Sequence, residues 1–213
     1  MAKLLVLGAT GFVGGIVVRL ALDDPRVSEV IAPTRRPLSL QHPRLTNPVV
    51  NFDSLDAHAP WWRVDAAISA LGTTRQITRS KVDYEKVETS YPVAVAKLVR
   101  DHGAQAFAYI SAIGASQDSR WFYLRAKGQT EQQLQRVGFP SLTLVRPSGI
   151  IGPRQPPRRA ERFVLGLYQI ARPVLPKRWR VVTGEQVTKA LLEAVLVAKT
   201  GTHIIESENL QDL

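Results

Sequence analysis

The chain has 213 residues, of which 45% are hydrophobic and 22% are charged, the balance expected of a soluble globular protein with one buried core. It contains no cysteine, which excludes disulfide bonds and thiolate metal sites and fits a reducing, cytoplasmic compartment. Its four histidines are scattered without ligand spacing, so we expect no metal. No apolar run approaches the ~20 residues that cross a bilayer, so we do not expect a membrane-spanning protein.

The net charge of +10 is spread unevenly along the chain. Between Gly152 and Arg180 there are eight basic residues, several prolines and one acidic residue, Glu161. Such a segment suits a nucleic acid, an anionic membrane surface or an acidic small molecule, and charge alone does not choose among them. A protein partner is a further candidate. Nucleic-acid binding ranks low, because no helix-turn-helix, zinc or aromatic-stacking motif accompanies the arginines.

Taken in chain order, the hydrophobic pattern predicts an alternation of short strands and helices. Runs typical of buried strands cover residues 3–7, 29–32, 49–52, 66–70, 106–110, 141–145 and 202–206. Helical spacing begins at Phe12 and ends at Asp23-Asp24-Pro25, and it recurs over residues 80–102, 120–137 and 184–197. Pro92 is expected to kink or divide the helix over 80–102.

This order of elements predicts an α/β fold with a doubly wound parallel sheet of the Rossmann type. Right-handed crossovers would place helices on both faces of the sheet. We expect one domain over residues 1–213, interrupted by the basic segment 152–182. Phe163, Leu167 and Ile170 in that segment have helical spacing, which indicates a piece that caps the core or contacts a membrane surface.

The sequence GATGFVG follows the first predicted strand and opens the first predicted helix. Gly8, Gly11 and Gly14 lack a Cβ, as a tight turn requires, and the helix amino end presents free N–H groups and a partial positive charge. This arrangement suits a pyrophosphate, so the turn predicts a dinucleotide site. A purely structural glycine turn is the alternative.

The sequence APTRRP after the second strand bears on the choice of dinucleotide. NAD sites usually carry an acidic residue here that holds the ribose 2′-hydroxyl, whereas NADP sites use arginine against the 2′-phosphate. Arg35 and Arg36 therefore favour NADP(H) over NAD(H). The alternative is that both arginines are solvated surface charges.

Tyr123 and Lys127 lie four residues apart in a predicted helix, so their side chains share one face. An adjacent ammonium lowers the pKa of a phenol from ~10, which would make Tyr123 a general acid or base. Ser111, at the end of the fifth strand, opens onto the same sheet edge as the glycine turn and could hydrogen-bond a substrate carbonyl. The alternative is the polar edge of an ordinary helix.

Together, GATGFVG, Ser111 and the Tyr123-x-x-x-Lys127 spacing resemble the short-chain dehydrogenase/reductase superfamily. Four further segments resemble its atypical branch, typified by the Tat-interacting, NADPH-binding oxidoreductase-like proteins, and the similarity covers essentially the whole chain. These segments are ISALGTTR (68–75), VDYEKVE (82–88), YLRAKGQTE (123–131) and LVRPSGIIGPR (144–154). In this superfamily the region after the sixth strand covers the substrate, which the resemblance assigns to the basic segment 152–182.

The resemblance implies a catalytic set and a cofactor site at the matching positions. Ser111, Tyr123 and Lys127 would be catalytic, with Lys127 also holding cofactor ribose hydroxyls. Arg35 would meet the 2′-phosphate, and the turn Arg146-Pro147-Ser148 would approach the nicotinamide. The other cofactor-binding positions would be Gly8, Thr10, Gly11, Phe12, Gly14, Asp53, Ala70, Leu71, Gly72, Pro147 and Ser148.

One position departs from the pattern of the superfamily. Many relatives place an asparagine in the helix after the fourth strand to complete a proton relay, and ungapped counting places Glu88 there. The expected function is an NADP(H)-dependent oxidoreductase that reduces a carbonyl-containing small molecule. The alternatives are an NADPH-binding regulatory protein that docks a partner and turns over little or nothing, and a sugar-nucleotide epimerase or dehydratase. The sequence does not decide the oligomeric state, and a homo-oligomer, which is common among such relatives, is one alternative.

Overall fold

The computed structural model describes residues 1–73, 80–152 and 175–213, in which strands and helices alternate along the chain. The strands are β1 (Ala2–Leu7), β2 (Val27–Ile31), β3 (Leu45–Thr46), β4 (Ala66–Ser69), β5 (Ala106–Ile110), β6 (Ser141–Arg146), β7 (Ile150–Ile151), β8 (Val182–Thr183) and β9 (Gly201–Glu206). The α-helices are α1 (Phe12–Asp23), α2 (Lys81–Glu85), α3 (Tyr91–Asp101), α4 (Phe122–Val137) and α5 (Gly184–Val197).

Within the described residues, seven strands form a parallel sheet in the order β3-β2-β1-β4-β5-β6-β9. Strand β1 pairs with β2 on one side and with β4 on the other, so the strand order changes direction at β1. This is the arrangement of a Rossmann fold, and the predicted doubly wound sheet is confirmed. Such sheets bind ligands outside the carboxyl ends of the strands at the point of reversal, here between β1 and β4.

The central strand is apolar on both faces because helices cover both faces of the sheet. Leu4 and Val6 belong to a core cluster with residues of α1 and α5, whereas Leu5 and Leu7 belong to a cluster with residues of α3 and α4. Successive side chains of a strand point to opposite faces. A nearly continuous apolar run is therefore what a buried parallel strand requires.

The third strand lies earlier in the chain than predicted. The structure places it at Leu45–Thr46, paired with β2, whereas Val49 forms only an isolated bridge with Thr34. The intervening Pro48 has no backbone N–H to donate to a ladder. From Asn51 the chain turns, with its side-chain oxygen accepting a hydrogen bond from the next-but-one backbone N–H at 3.0 Å. The prediction of a strand over 49–52 is therefore wrong.

The helix predicted over residues 80–102 is divided, as expected from Pro92. A π-helical turn, Lys86–Ser90, separates α2 from α3, and Pro92 lies in the first turn of α3. Proline carries no N–H to donate to the preceding turn. The carbonyl of Glu88 instead lies within hydrogen-bonding distance of the hydroxyls of Thr130 (3.0 Å) and Tyr109 (3.4 Å).

Most of the predicted basic insertion at 152–182 lies outside the described residues, including the amphipathic piece at 163–170. At its two ends, β7 pairs with β8 in a second, two-stranded parallel sheet, and within its described part Lys177–Trp179 forms a short 3-10 helix. The hydroxyl of Ser148 and the side-chain amide of Gln211 both donate to the carbonyl of Arg180. No helix among the described residues is long and apolar enough to cross a membrane.

Candidate active site

A cleft lies at the carboxyl ends of the central strands. Leu7 at the end of β1 is in register with Ser69 at the end of β4, and the chain leaves the sheet after both. Two adjoining cavities of about 560 and 450 Å³ open there and share Gly11 and residues 70–73 as a common wall. The first cavity is lined by residues predicted to hold a cofactor, and the second includes the predicted catalytic residues.

The glycine turn brings the backbone of β1 and the start of α1 into close approach. Gly8 has a φ of 91°, in the left-handed region that favours glycine, and a Cβ on it would lie 2.7 Å from the backbone of Ala70. The N–H of Gly11 donates to the Gly8 carbonyl at 2.8 Å. A Cβ on Gly14 would collide with that same carbonyl oxygen. The amino end of α1, which has no side-chain cap, is thereby held beside both cavities.

Charged and polar side chains line the first cavity. Asp53 accepts hydrogen bonds from the Lys86 ammonium (2.8 Å) and from the Tyr91 hydroxyl (3.0 Å). These bonds hold the pKa of the Asp53 carboxyl below its ordinary value. Arg35 lines the same cavity. The predicted residues Gly8, Thr10, Gly11, Ala70, Leu71 and Gly72 also line it.

Arg35 and Arg36 differ in position although they are adjacent in the chain. Arg35 borders the first cavity, whereas Arg36 borders neither cavity as the described residues define them. The carbonyl of Arg36 accepts a hydrogen bond from the Thr34 hydroxyl at 2.6 Å, and the chain bends at Arg35 and Arg36. The structure therefore brings Arg35, and not Arg36, to the cavity wall, and cofactor binding by Arg36 stays a prediction.

The second cavity brings together Ser111, Tyr123 and Lys127. Ser111 directly follows β5 and is buried, and its hydroxyl has no hydrogen-bond partner among the described residues. Tyr123 lies in the first turn of α4 and is 45% exposed, whereas Lys127, one turn later on the same face, is buried. The predicted residues Gly11, Phe12, Ala70, Leu71, Gly72, Pro147 and Ser148 line the same cavity.

The Lys127 ammonium contacts three protein acceptors. These are a carboxylate oxygen of Glu88 at 2.9 Å, the carbonyl of Ile110 at 2.8 Å and the hydroxyl of Tyr109 at 3.1 Å. The contacts with Ile110 and Tyr109 are hydrogen bonds, and the contact with Glu88 is an ion pair. Glu88 is also buried, and its other oxygen accepts a hydrogen bond from the Thr73 N–H at 2.6 Å. Such additional bonds offset the desolvation of a buried ion pair.

The prediction that the pKa of Tyr123 is lowered is wrong in its net direction. Burial raises the pKa of Tyr123, the Lys127 charge lowers it and the Glu88 carboxylate raises it, and the result is a raised pKa. For Lys127, burial is the largest single influence and lowers the pKa, but the attractions of Glu88, Tyr109 and Tyr123 together outweigh it, so that pKa is raised well above its ordinary value. At neutral pH Tyr123 therefore keeps its proton and Lys127 keeps its charge.

A third, larger groove contains none of the predicted site residues. It has a volume of about 730 Å³ and lies beside α3 and α4, where Lys97, Gln129, Gln133 and Arg136 are among its lining residues. Its walls lack the combination of glycine turn, hydroxyl and ammonium found at the sheet edge. Cavity volume therefore does not identify the site, and the chemistry of the lining groups does.

Comparison with known proteins places the fold and its cleft in a family. The model of a family described as NAD(P)H-binding matches residues 8–166. The mitochondrial protein fmp52 of Aspergillus fumigatus is 30% identical over 222 residues, which cover 99% of this chain and 94% of that protein. Protein HTATIP2 of Rattus norvegicus is 30% identical over 161 residues, covering 73% of this chain and 66% of that protein. The chain belongs to the NAD(P)H-binding family, in its atypical short-chain dehydrogenase/reductase branch.

The fold of this atypical short-chain dehydrogenase/reductase is also found among solved structures. The structure of MoeE5 in complex with UDP-glucose and NAD superposes with a TM-score of 0.68, covering 95% of this chain and 74% of that chain. The two sequences are 18% identical. At that distance the likeness shows the shared Rossmann-like, epimerase-like fold.

The names of the fungal relatives correct the expected location. The relatives from Aspergillus fumigatus, Candida albicans and Emericella nidulans are all named mitochondrial proteins. The expectation of a cytoplasmic protein conflicts with them and is withdrawn. It depended on the absence of cysteine, which indicates a reducing environment but does not distinguish one reducing compartment from another.

The described residues fit the nicotinamide dinucleotide that the family implies. The close approach at Gly14 and the uncapped start of α1 leave a backbone cradle of N–H groups beside the first cavity, as a pyrophosphate requires. Arg35 supplies a cation to this cavity. The unpartnered hydroxyl of Ser111 lies in the adjoining cavity, where the reacting end of such a cofactor would meet a substrate.

Three neighbours of the predicted catalytic residues were not identified from the sequence. Tyr109 contacts Lys127. It lies two positions before Ser111, with Ile110 between them, so strand alternation predicts that both point to the same side and was an available signal. Thr130 lies near the Glu88 carbonyl. Thr73 donates its backbone N–H to the Glu88 carboxylate. A backbone contact of this kind leaves no side-chain pattern in the sequence that could predict it.

Proposed function

We propose that the chain is an NADP(H)-dependent oxidoreductase that reduces a carbonyl-containing small molecule. The observation that carries the proposal is the presence of Ser111, Tyr123 and Lys127 in one cavity that shares a wall with the glycine turn. A hydroxyl free to polarise a carbonyl and a phenol that keeps its proton are the groups that such a reduction needs.

The first cavity would hold most of the cofactor. The glycine turn and the start of α1 would bind the pyrophosphate through backbone N–H groups, and Arg35 would pair with a 2′-phosphate. Asp53, with its partners Lys86 and Tyr91, would lie by the adenine. When bound, a reduced nicotinamide supplies the hydride. Arg35, together with the lack of an acidic residue in APTRRP, supports NADP(H) over NAD(H).

The second cavity would hold the carbonyl group of the substrate. Ser111 would donate a hydrogen bond to the carbonyl oxygen, since its buried hydroxyl has no other partner among the described residues. Tyr123 would donate its proton to the same oxygen, because its raised pKa keeps the phenol protonated at neutral pH. The Lys127 ammonium would stabilise the phenolate that this transfer leaves behind.

Replacement of the tyrosine tests the proposal. We expect Tyr123→Phe to lose at least ~100-fold in NADPH oxidation with an accepted aldehyde, ketone or quinone, since general acid catalysis contributes about that much, while NADPH binding stays within twofold. Tyr84→Phe is the matched control, because Tyr84 is a buried tyrosine that borders neither cavity. Equal turnover of Tyr123→Phe and the unmodified protein would remove Tyr123 from the mechanism.

A second candidate is an NADPH-binding regulatory protein with little or no turnover. It is favoured by the Lys127 ammonium, which already contacts three protein acceptors. The basic segment would dock a protein partner or an anionic surface, and its described residues Lys177 and Arg178 are exposed. Tight NADPH binding without oxidation of any carbonyl, together with NADPH-dependent partner capture, would support this candidate over the reductase.

A sugar-nucleotide epimerase or dehydratase is a third candidate. The MoeE5 structure, which contains UDP-glucose and NAD, shares the fold. The direct test is to add UDP-glucose in the same binding and turnover assays. Saturable UDP-glucose binding with formation of an isomer or a dehydrated product would favour this candidate, whereas no binding would reject it for that substrate.

A further inference from the structure

We propose that Glu88 is a positioning residue that sets the charge of the catalytic cavity, so that it neutralises Lys127 and leaves Tyr123 as a proton donor rather than a ready base. This inference rests on the proposed reductase function. It assigns to Glu88 a role that differs from that of the relay asparagine expected at this position.

The carboxylate of Glu88 connects two walls of the cavity. One oxygen is 2.9 Å from the Lys127 ammonium of α4, and the other accepts the Thr73 N–H at 2.6 Å from the segment that follows β4. Glu88 is 1% exposed and lines the second cavity. Because both oxygens have partners on different elements, the side chain is fixed in place and is not a solvated surface acid.

The backbone of Glu88 is anchored as well. It lies in the π-helical turn, where the Tyr91 N–H donates to the carbonyl of Lys86, and such turns occur frequently at functional sites. Its own carbonyl is reached by the hydroxyl of Thr130 at 3.0 Å. Pro92, four residues after Glu88, has no N–H to compete as a donor to this carbonyl. Backbone and side chain together hold the carboxylate toward Lys127.

Four ionisable groups on the surrounding elements face Glu88. Lys127 and Tyr123 come from α4, Tyr109 from β5 and Tyr84 from α2. Lys127 is the cation of this set, and the other three are phenols. Burial is the main cause of the raised pKa of each phenol, and the Glu88 charge raises it further. The carboxylate therefore opposes the ionisation of every tyrosine in the cluster.

The ion pair of Glu88 and Lys127 affects whether the site favours carbonyl reduction or alcohol oxidation at a given pH. A neutral amide in place of Glu88 would remove the negative charge that opposes the ionisation of Tyr123, and while Lys127 stays charged this favours a phenolate. With the carboxylate present, Tyr123 stays protonated through neutral and mildly alkaline pH and can act as an acid. The reverse reaction, the oxidation of an alcohol, needs the phenolate and is therefore confined to more alkaline pH.

The test is the titration of Tyr123 in the cofactor-free protein. Tyrosine labelled with ¹³C at Cζ gives one NMR signal for each of the five tyrosines, and the signal lost in Tyr123→Phe is that of Tyr123. We expect Glu88→Gln to lower the pKa of Tyr123 by ~1 unit, the scale of the effect of a nearby charge. Glu131→Gln is the matched control, because Glu131 is also buried on α4 and paired with a cation, Arg146, but does not line the cavity.

A Tyr123 pKa in Glu88→Gln that equals that of the unmodified protein, or that shifts equally in Glu131→Gln, would overturn the inference. The unmodified protein gives a second test that does not depend on folding of a variant, since a Tyr123 pKa below ~10, the ordinary value, would also overturn it. The titration requires neither cofactor nor turnover. If the protein reduces no carbonyl but the Tyr123 pKa shifts in Glu88→Gln, the reductase function is rejected and the role of Glu88 is retained. If the protein reduces a carbonyl and the pKa does not shift, only the role of Glu88 is rejected.

Discussion

Arg35 is the side chain on which the proposed preference for NADP(H) depends. It is exposed and borders the first cavity, so it can reach a phosphate without a cost in burial. Asp53 borders the same cavity, but its charge is paired with Lys86, which limits the repulsion that it would exert on a phosphate. Arg36 has the same charge and lies outside the walls of the cavity. Replacement of Arg36 is therefore a control for the loss of one positive charge near the cavity.

We expect Arg35→Ala to weaken NADPH binding by ~10- to 100-fold, the equivalent of one or two hydrogen bonds to a charged group. Binding of NADH should change less than threefold, because NADH has no 2′-phosphate. Arg36→Ala should leave both affinities within twofold. Quenching of tryptophan fluorescence by each dinucleotide measures these changes, and equal losses for NADPH and NADH in Arg35→Ala would contradict the assignment.

At the scale of secondary-structure elements, the start of α1 is held against the turn after β1. Gly14 makes this possible because any larger side chain would collide with the Gly8 carbonyl. Gly15, the next residue of the helix, would accept a Cβ at 3.5 Å from the nearest backbone oxygen, an ordinary contact. Two adjacent glycines of one helix therefore have different roles.

Gly14→Ala should lower the free energy of unfolding by roughly 1–3 kcal/mol, the usual cost of inserting a methyl group into a closely packed position, and should impair NADPH binding because the turn must shift. Gly15→Ala should leave stability unchanged or raise it by up to ~1 kcal/mol, since alanine favours a helix. Urea unfolding with both variants checks the pair. A similar loss of stability in both would show that the close approach at Gly14 is not the cause.

At the scale of the whole molecule, a cluster of buried ionisable groups lies between the sheet and the helices that cover one of its faces. Lys127 and Glu88 are opposite charges, and Tyr109 is a buried phenol that accepts a hydrogen bond from Lys127. Burial is the main cause that raises the pKa of Tyr109 to about 12. In the unfolded chain a tyrosine titrates near ~10. The free energy of unfolding is therefore expected to decrease at alkaline pH.

Because the folded pKa of Tyr109 exceeds the unfolded value, its contribution to stability is complete below pH ~10 and is lost as the pH rises toward 12. We expect the free energy of unfolding to fall by roughly 2–3 kcal/mol over that range on account of Tyr109, given ~1.4 kcal/mol per unit of pKa difference. Urea unfolding at pH 9, 10 and 11 measures the slope. The Tyr109→Phe variant should be less stable at pH 9, but its free energy of unfolding should fall less steeply with pH. An equal slope in both proteins would exclude Tyr109 as the source of the pH dependence.

The elements of this fold that depend on short-range rules were predicted well. The strand Ala106–Ile110 and the helix Gly184–Val197 have the predicted boundaries, because a strand buried on both faces and an amphipathic helix each carry a local pattern. The glycine turn was also predicted, since the steric demand of Gly8 depends on a few neighbouring residues. The strand predicted over 49–52 was misplaced because the apolar run there does not reveal which residues pair with β2.

The sequence by itself determined the Rossmann fold, the position of the dinucleotide turn and the helical face shared by Tyr123 and Lys127, because each follows from spacing along the chain. Only the tertiary structure decided which groups surround that face and in which direction the pKa of Tyr123 is shifted. It brought Glu88 from the helix before β5 and Tyr109 from β5 itself against Lys127, and it buried them. Desolvation and a long-range ion pair have no signature in local spacing, and they are what reversed the expected direction of the pKa of Tyr123.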